Sequence, residues 1–158
     1  MYLNTNDLSE IKEIFLNINA WLNFAEIKHS AAIVLDIAIV SAMLSLEERS
    51  ILVVLSCICL ITSAIISLIA IYPNIKNCGG VNLQKNLVFY RDIALTEKEE
   101  YAQMFEDRKS DLMMDYIEEI IINSRITMKK YKKLKFSILC IILGIVLFCV
   151  QIIYLWFN

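Results

Sequence analysis

Glycine and proline are nearly missing from this chain, with three and one respectively in 158 residues. All-β folds rely on those two residues for frequent chain reversals, so their scarcity argues against such an architecture. Histidine is scarcer still: a single one, His29, leaves no second imidazole for a metal or acid–base set. The G-x-S-x-G, G-x-x-x-x-G-K-[ST] and H-E-x-x-H patterns do not occur, so no catalytic residues are nominated and an enzyme is not expected. The five cysteines (Cys57, Cys59, Cys78, Cys140 and Cys149) form no C-x-x-C, and four of them lie in apolar runs. Zinc needs about four N or S ligands gathered tetrahedrally. No metal site is therefore expected, and the cysteines read as small hydrophobes. Strong charge of one sign is also lacking: the net charge is −2, which gives no reason to expect a nucleic-acid partner. The opening "MYLNTNDLSEIKE" carries acids and amides instead of a basic stretch before an apolar core, so no secretory leader is expected.

Apolar residues are abundant. They make up 58% of the chain, above the roughly 45–50% of soluble domains, and mean hydropathy is +0.60. The expected class is an all-α membrane protein with three transmembrane helices and a cytoplasmic helical extension between spans two and three. "ILVVLSCICLITSAIISLIAIY" (Ile51–Tyr72) is uncharged and long enough, at about 1.5 Å per residue, to cross roughly 30 Å of hydrocarbon. "FSILCIILGIVLFCVQIIYLWF" (Phe136–Phe157) is similar and places Tyr154 and Trp156 as interfacial aromatics. The run from Ala31 to Leu46 is weaker. Its eight Ile, Val and Leu residues each favour insertion by about 0.3–0.6 kcal/mol, while a central Asp opposes it by about 2.5–3.5 kcal/mol. The first span is thus expected to insert as a hairpin with the second, across the short "LEERS" connection.

The Lys-rich "KKYKKLK" (Lys129–Lys135) abuts the third span, whereas the hairpin turn offers only Arg49 beside Glu47 and Glu48. The positive-inside rule then places the N-terminus and residues 74–135 of a multi-pass chain in the cytoplasm, and the C-terminus outside. The same cluster suits anionic headgroups, so membrane lipids are expected partners. The chain divides into a cytoplasmic N-terminal amphipathic helix (1–30), a transmembrane hairpin (31–72), a cytoplasmic helical insert (73–135) and a third transmembrane helix (136–158). Within the insert, "PNIKNCGGVNLQKN" reads as loop, and "LVFYRDIA" (Leu87–Ala94) as an extended or tucked-in turn. "TEKE" (Thr96–Glu99) reads as a capping box starting a helix through about Lys109. A further helix from about Asp111 is expected to run into the third span, with Met113, Ile117, Ile120, Ser124, Thr127, Tyr131 and Leu134 as a coiled-coil-like seam. "DLSE" (Asp7–Glu10) reads as another capping box. The acids from Glu97 to Glu119 are expected on the wet face of these helices.

Inside the spans, small and polar residues recur every three or four positions. Span two shows Ser56, Cys59, Ser63, Ser67 and Ala70, and span three shows Ser137, Cys140, Gly144 and Gln151. Such stripes hold membrane helices together by close packing and hydrogen bonds, or line a polar path in an oligomer. In span one, His29 and Asp36 are seven residues apart and project from nearly the same face. Intramembrane acids are costly and face a bundle interior, a partner or water. Glu26, His29, Asp36, Ser63 and Gln151 are accordingly the candidates for a pore or gate.

Four stretches, in order, resemble a known family, the membrane effectors of Pycsar anti-phage systems. Trp21-Leu22-Asn23-Phe24-Ala25-Glu26-Ile27-Lys28 matches a W-[IL]-x-x-A-[DE]-x-K stretch entering the first span. A tight hairpin and proline follow ("IYPNIK"), then "LVFYRDIALTEKEEY" (Leu87–Tyr101), and finally "INSRITMKKYKKLKFS" before the last span. The resemblance runs from about Trp21 to Phe148. Glu26 stands where Asp is usual, His29 where a small residue is usual, and Tyr90-Arg91 where Phe-Gly is usual. The resemblance implies an antiviral effector that senses a cyclic nucleotide made by a partner cyclase, impairs the inner membrane and causes abortive infection. It also implies a homo-oligomer, with no bound cofactor other than an activating ligand of cyclic CMP or cyclic UMP type. Such a ligand needs cations for its phosphate and an aromatic or donor for its base, which nominates Lys28, Tyr90, Arg91, Tyr101 and Arg125. A non-conducting membrane scaffold, or a small cation or proton channel not gated by nucleotide, are the rival expectations.

Overall fold

A computed structural model describes residues 5–45, 50–72 and 85–157 of the chain. The described residues are helical throughout their regular structure: α1 (Thr5–Leu44), α2 (Ile51–Ile71), α3 (Tyr90–Ala94), α4 (Lys98–Asp107) and α5 (Leu112–Phe157). Three of these helices, α1, α2 and α5, are long and apolar enough to cross a membrane. At about 1.5 Å per residue, the 46 residues of α5 exceed what a bilayer needs, so the helix continues well beyond its apolar run. Residues 46–49 of the "LEERS" connection and residues 73–84 of the following loop, Cys78 among them, lie outside the described residues.

The chain forms two compact units, one from Met1–Leu22 and Ile75–Thr127, the other from Asn23–Asn74 and Met128–Asn158. The second unit is a three-helix bundle. Its buried positions are Ala25, His29, Ala32, Asp36 and Met43 on α1; Val53, Ser56, Leu60, Ser63, Ser67 and Ala70 on α2; and Leu134, Ser137, Ile141, Gly144 and Gln151 on α5. Steps of three and four along each helix average near 3.5, the period of a left-handed helical seam. Contacts fix the directions: α2 runs antiparallel to both others, with Ser50 bonding Gln151 and Ser67 bonding Ser137. Outward faces are apolar, as with Val34 (68% exposed), Ile69 and Leu139, the surface a lipid-immersed bundle presents. Cys59 and Cys140 are only half-buried; Val53, Leu60 and Ile141 take the innermost places in their stead, with Ala32 and Met43.

In the first unit α1 packs on α5 through a T-shaped Phe15–Tyr116 pair with centroids 5.2 Å apart and an Asn123–Asn19 side-chain hydrogen bond of 2.9 Å. Along the expected seam Thr127 and Leu134 are buried and the rest half-buried. Several local expectations are corrected here. The helix already runs from Thr5, so Asp7 lies in its first turn and "DLSE" does not open it. Thr96 makes no capping box: its hydroxyl donates back to the Asp92 carbonyl at 2.6 Å. Glu97 takes the position ahead of α4, without a side-chain cap. Of the two readings of Leu87–Ala94 the turn holds and the extended one does not: Asn86 Oδ1 accepts from the Val88 and Phe89 amides and turns the chain into the short α3. Asp115 and Glu119 are not wet, each being only 6% exposed.

Candidate functional site

The polar residues of the bundle stack in layers. At the Lys-rich end, Lys130 Nζ donates to Glu26 Oε1 at 2.5 Å. Nearby Lys28 Nζ stands 4.3 Å from the Phe24 ring centroid and 5.7 Å from that of Tyr131. Its aliphatic stem and cation border a shallow groove of about 280 Å³ with Tyr131, Lys135 and Ile138. Glu26 meets Lys130, and Lys28 meets Tyr131, because α1 and α5 run parallel, which brings positions 104 residues apart, as in the Glu26–Lys130 pair, to the same level.

One turn deeper, His29 is fully buried. Its Nε2 lies 3.1 Å from the Lys130 carbonyl oxygen and its Nδ1 3.2 Å from Ser67 Oγ. A carbonyl only accepts, so Nε2 carries the hydrogen, and in the neutral ring Nδ1 accepts from Ser67. Ser67 Oγ is 2.9 Å from Ser137 Oγ, and Ser137 Oγ is 2.9 Å from Ser63 Oγ. Three hydroxyls from two helices thus form a continuous line. Asp36 follows, 1% exposed, with neither carboxylate oxygen hydrogen-bonded. Ser63 is the hydroxyl that acts on it.

Beyond Asp36 the core turns apolar, with Met43, Val53, Leu60 and Ile141. Ser56 donates to the Gly144 carbonyl at 2.6 Å. Ser50 caps α2, accepting from the Val53 amide at 3.4 Å, and itself donates to Gln151 Oε1 at 2.6 Å. Of the five pore or gate candidates, His29, Asp36, Ser63 and Gln151 are buried in the interior of one bundle, while Glu26 stands half-exposed at its Lys-rich end.

The residues nominated for a nucleotide are more dispersed. Tyr101 is engaged: its hydroxyl donates to the Leu87 carbonyl at 3.0 Å, and its ring leans on Phe105. Tyr90 is 67% exposed and packs edge-on against Phe89. Arg125 lies on the exposed face of α5 and has no ion-pair partner among the described residues. Arg91 is in α3, and its side chain lies outside what is described. Lys28 belongs to the other unit.

What organises this part of the chain is a set of carboxylates absent from the candidate list. Asp115 Oδ2 accepts the Leu87 amide at 2.9 Å, and its other oxygen pairs with Arg108 Nη2 at 3.4 Å. Asp92 Oδ2 accepts the Asn86 amide at 2.8 Å, and Arg108 also donates to the Lys85 carbonyl. Lys85 pairs with Glu100 at 2.6 Å. Glu119 sits more than four helical turns before the apolar run of α5. Burial first, then the charges of Glu118, Asp92 and Asp115, push its carboxyl up to about 7. Helical spacing alone marks Asp115 and Glu119 as neighbours, but not as buried.

A family model described as the Pycsar effector protein domain matches residues 10–157. No curated protein and no solved structure gives a significant match.

Proposed function

The chain belongs to the Pycsar effector family, an anti-phage defence effector built on three membrane-crossing helices, and from that premise we propose that it impairs the bacterial inner membrane when a partner cyclase signals infection. The signal in this reading is a cyclic nucleotide of cyclic CMP or cyclic UMP type, bound by the cytoplasmic unit. The protein then acts without catalysis, as a homo-oligomer among membrane lipids. The Lys129–Lys135 cluster supports an N-terminus and insert on the cytoplasmic side.

The observation that carries the proposal is Asp36, a carboxyl held in a lipid-facing bundle with both oxygens unpartnered. A passive anchor gains nothing from such a group, and its burial costs free energy that a path or a gate would justify. Because α1 and α5 are continuous from one unit into the other, displacement of their cytoplasmic halves carries the attached spans with it. The test is membrane potential, followed by a voltage-sensitive dye, in infected cells expressing the protein with its cyclase. Depolarisation before lysis is expected; protection with an unchanged potential rejects the reading. A scaffold that merely recruits a partner would keep protecting cells as Asp36→Asn, whereas here that variant loses protection.

A further inference from the structure

The line of hydroxyls in the bundle has a polarity that follows from hydrogen-bond counting. The Lys130 carbonyl obliges His29 Nε2 to donate, so in the neutral ring Nδ1 must accept, and Ser67 is the donor. Ser67 Oγ then accepts from Ser137, and Ser137 Oγ accepts from Ser63. Ser63 Oγ is left with a free lone pair, and the side chain that acts on it is the one whose oxygens lack partners, Asp36. On its other side the line meets the apolar side chains Leu60, Ile141, Met43 and Val53, among which Ser56 is the one hydroxyl and is spent on the Gly144 carbonyl.

We propose that Ser63, Ser137 and Ser67 form a proton relay between Asp36 and His29, closed on the Asp36 side by the apolar layer around Leu60. It rests on the membrane-effector reading above and names the species that the bundle passes. In the forward step the Asp36 O–H breaks as a proton passes to Ser63. Each hydroxyl gains one proton and gives up one, and a new N–H forms at His29 Nδ1. The products are an Asp36 carboxylate and a His29 imidazolium, with no redox change. The imidazolium turns outward, releases the Nδ1 proton to water at the Lys130 end and turns back with its Nε2–H retained. The hydroxyls rotate back, and the Asp36 carboxylate takes a new proton from water admitted when the layer on its side opens. The charged groups facing His29 there are Lys130, its partner Glu26, and Lys133. Serine stripes alone commonly serve packing. This one differs because it begins at a buried imidazole and ends at a buried, unpartnered acid.

The experiment uses the full chain in phosphatidylethanolamine–phosphatidylglycerol liposomes enclosing a pH-sensitive dye, with a valinomycin-set potassium potential. Leu60→Ala, or Met43→Ala as a second opening variant, lets water into the closing layer and should raise proton influx several-fold over wild type. Adding Ser137→Ala or Asp36→Asn should return influx to the level of empty liposomes, while Ser137→Thr, which keeps a hydroxyl, should preserve it. Thr62→Ala, on the exposed face of α2, should change nothing. Helical melting of each variant in micelles separates lost folding from lost conduction. No proton influx from either folded opening variant overturns the relay, and so does influx that survives Ser137→Ala and Asp36→Asn. Release of an entrapped neutral dye by wild type with cyclic CMP or cyclic UMP added, with no proton selectivity and no dependence on Ser137, would leave the membrane-impairing reading standing and the relay refuted.

Discussion

The Ser56 hydroxyl donates a hydrogen bond to the carbonyl oxygen of Gly144 at 2.6 Å, tying α2 directly to the backbone of α5. A Cβ on Gly144 would stand 2.9 Å from Leu60 Cγ and 3.4 Å from the Ser56 carbonyl oxygen. Glycine is required here for contact, since the backbone is helical. Gly144→Ala is therefore expected to destabilise the bundle by about 1–3 kcal/mol, the usual cost of overpacking, and Gly144→Val by more. Thermal unfolding in detergent micelles measures this. Combining Gly144→Ala with Leu60→Ala should recover part of the loss; strictly additive losses would show that Leu60 is not what the new methyl meets.

The segment from Lys85 to Thr96 is held largely by its backbone. Asp115→Ala strands the buried Leu87 amide and removes one of the partners of Arg108, so a loss of about 1–3 kcal/mol is expected. The clearest readout is hydrogen exchange at Leu87, which should lose its protection while amides within α2 keep theirs. Tyr101→Phe removes one hydrogen bond to the Leu87 carbonyl and should cost about 1 kcal/mol. Thr96→Ala should cost less than Asp92→Ala, because Thr96 caps nothing and Asp92 holds the Asn86 amide.

Glu119 makes the unit that contains α3 and α4 sensitive to pH. Its carboxyl is raised from 4.5 to about 7 on folding, so between those values the folded chain binds the proton that the unfolded chain has released. Stability then falls as pH rises: the penalty is absent below about 4.5, grows through the interval, and is complete above about 7. Glu119→Gln, which needs no proton, should flatten this slope and stabilise the protein at pH 8. Denaturation measured at pH 5 and pH 8 in both variants checks it; identical slopes would show that the Glu119 carboxyl is solvated.

The Glu26–Lys130 pair is a weaker lever. The glutamate side chain is 42% exposed, and exposed pairs contribute only about 0–1 kcal/mol. Glu26→Gln should leave the melting temperature nearly unchanged, while Glu26→Lys, which sets two ammonium groups together beside His29, should lower it. Restoring the pair in reversed order with Lys130→Glu should return most of that loss.

Local repeats in the chain show which features were legible without a fold. Runs of apolar residues fix three long helices, because hydrocarbon leaves the backbone no hydrogen-bond partner but itself. The 3–4 spacing also picks out Ser56, Ser63, Ser67, Ser137, Gly144 and Gln151, all of which are buried. Local capping patterns were less dependable. Thr96 has the right neighbours for a box, yet its hydroxyl reaches back to Asp92, since a preceding turn offered a closer acceptor. Asp115 and Glu119 looked solvated for the ordinary reason that acids seldom lie inside. Their burial depends on a segment about thirty positions earlier that folds over them, which no local pattern encodes.

By itself, then, the amino-acid order determined the helices, their inward faces and the presence of one acid within a span. It did so because periodicity and transfer free energy are properties of neighbouring residues. Only the tertiary structure decided that Ser67, Ser137 and Ser63 join in one line from His29 towards Asp36, and that Leu60 rests on Gly144. Those relationships arise from the register of antiparallel α2 against α5, and register is set by the packing of whole faces, between residues as far as 70 to 88 positions apart.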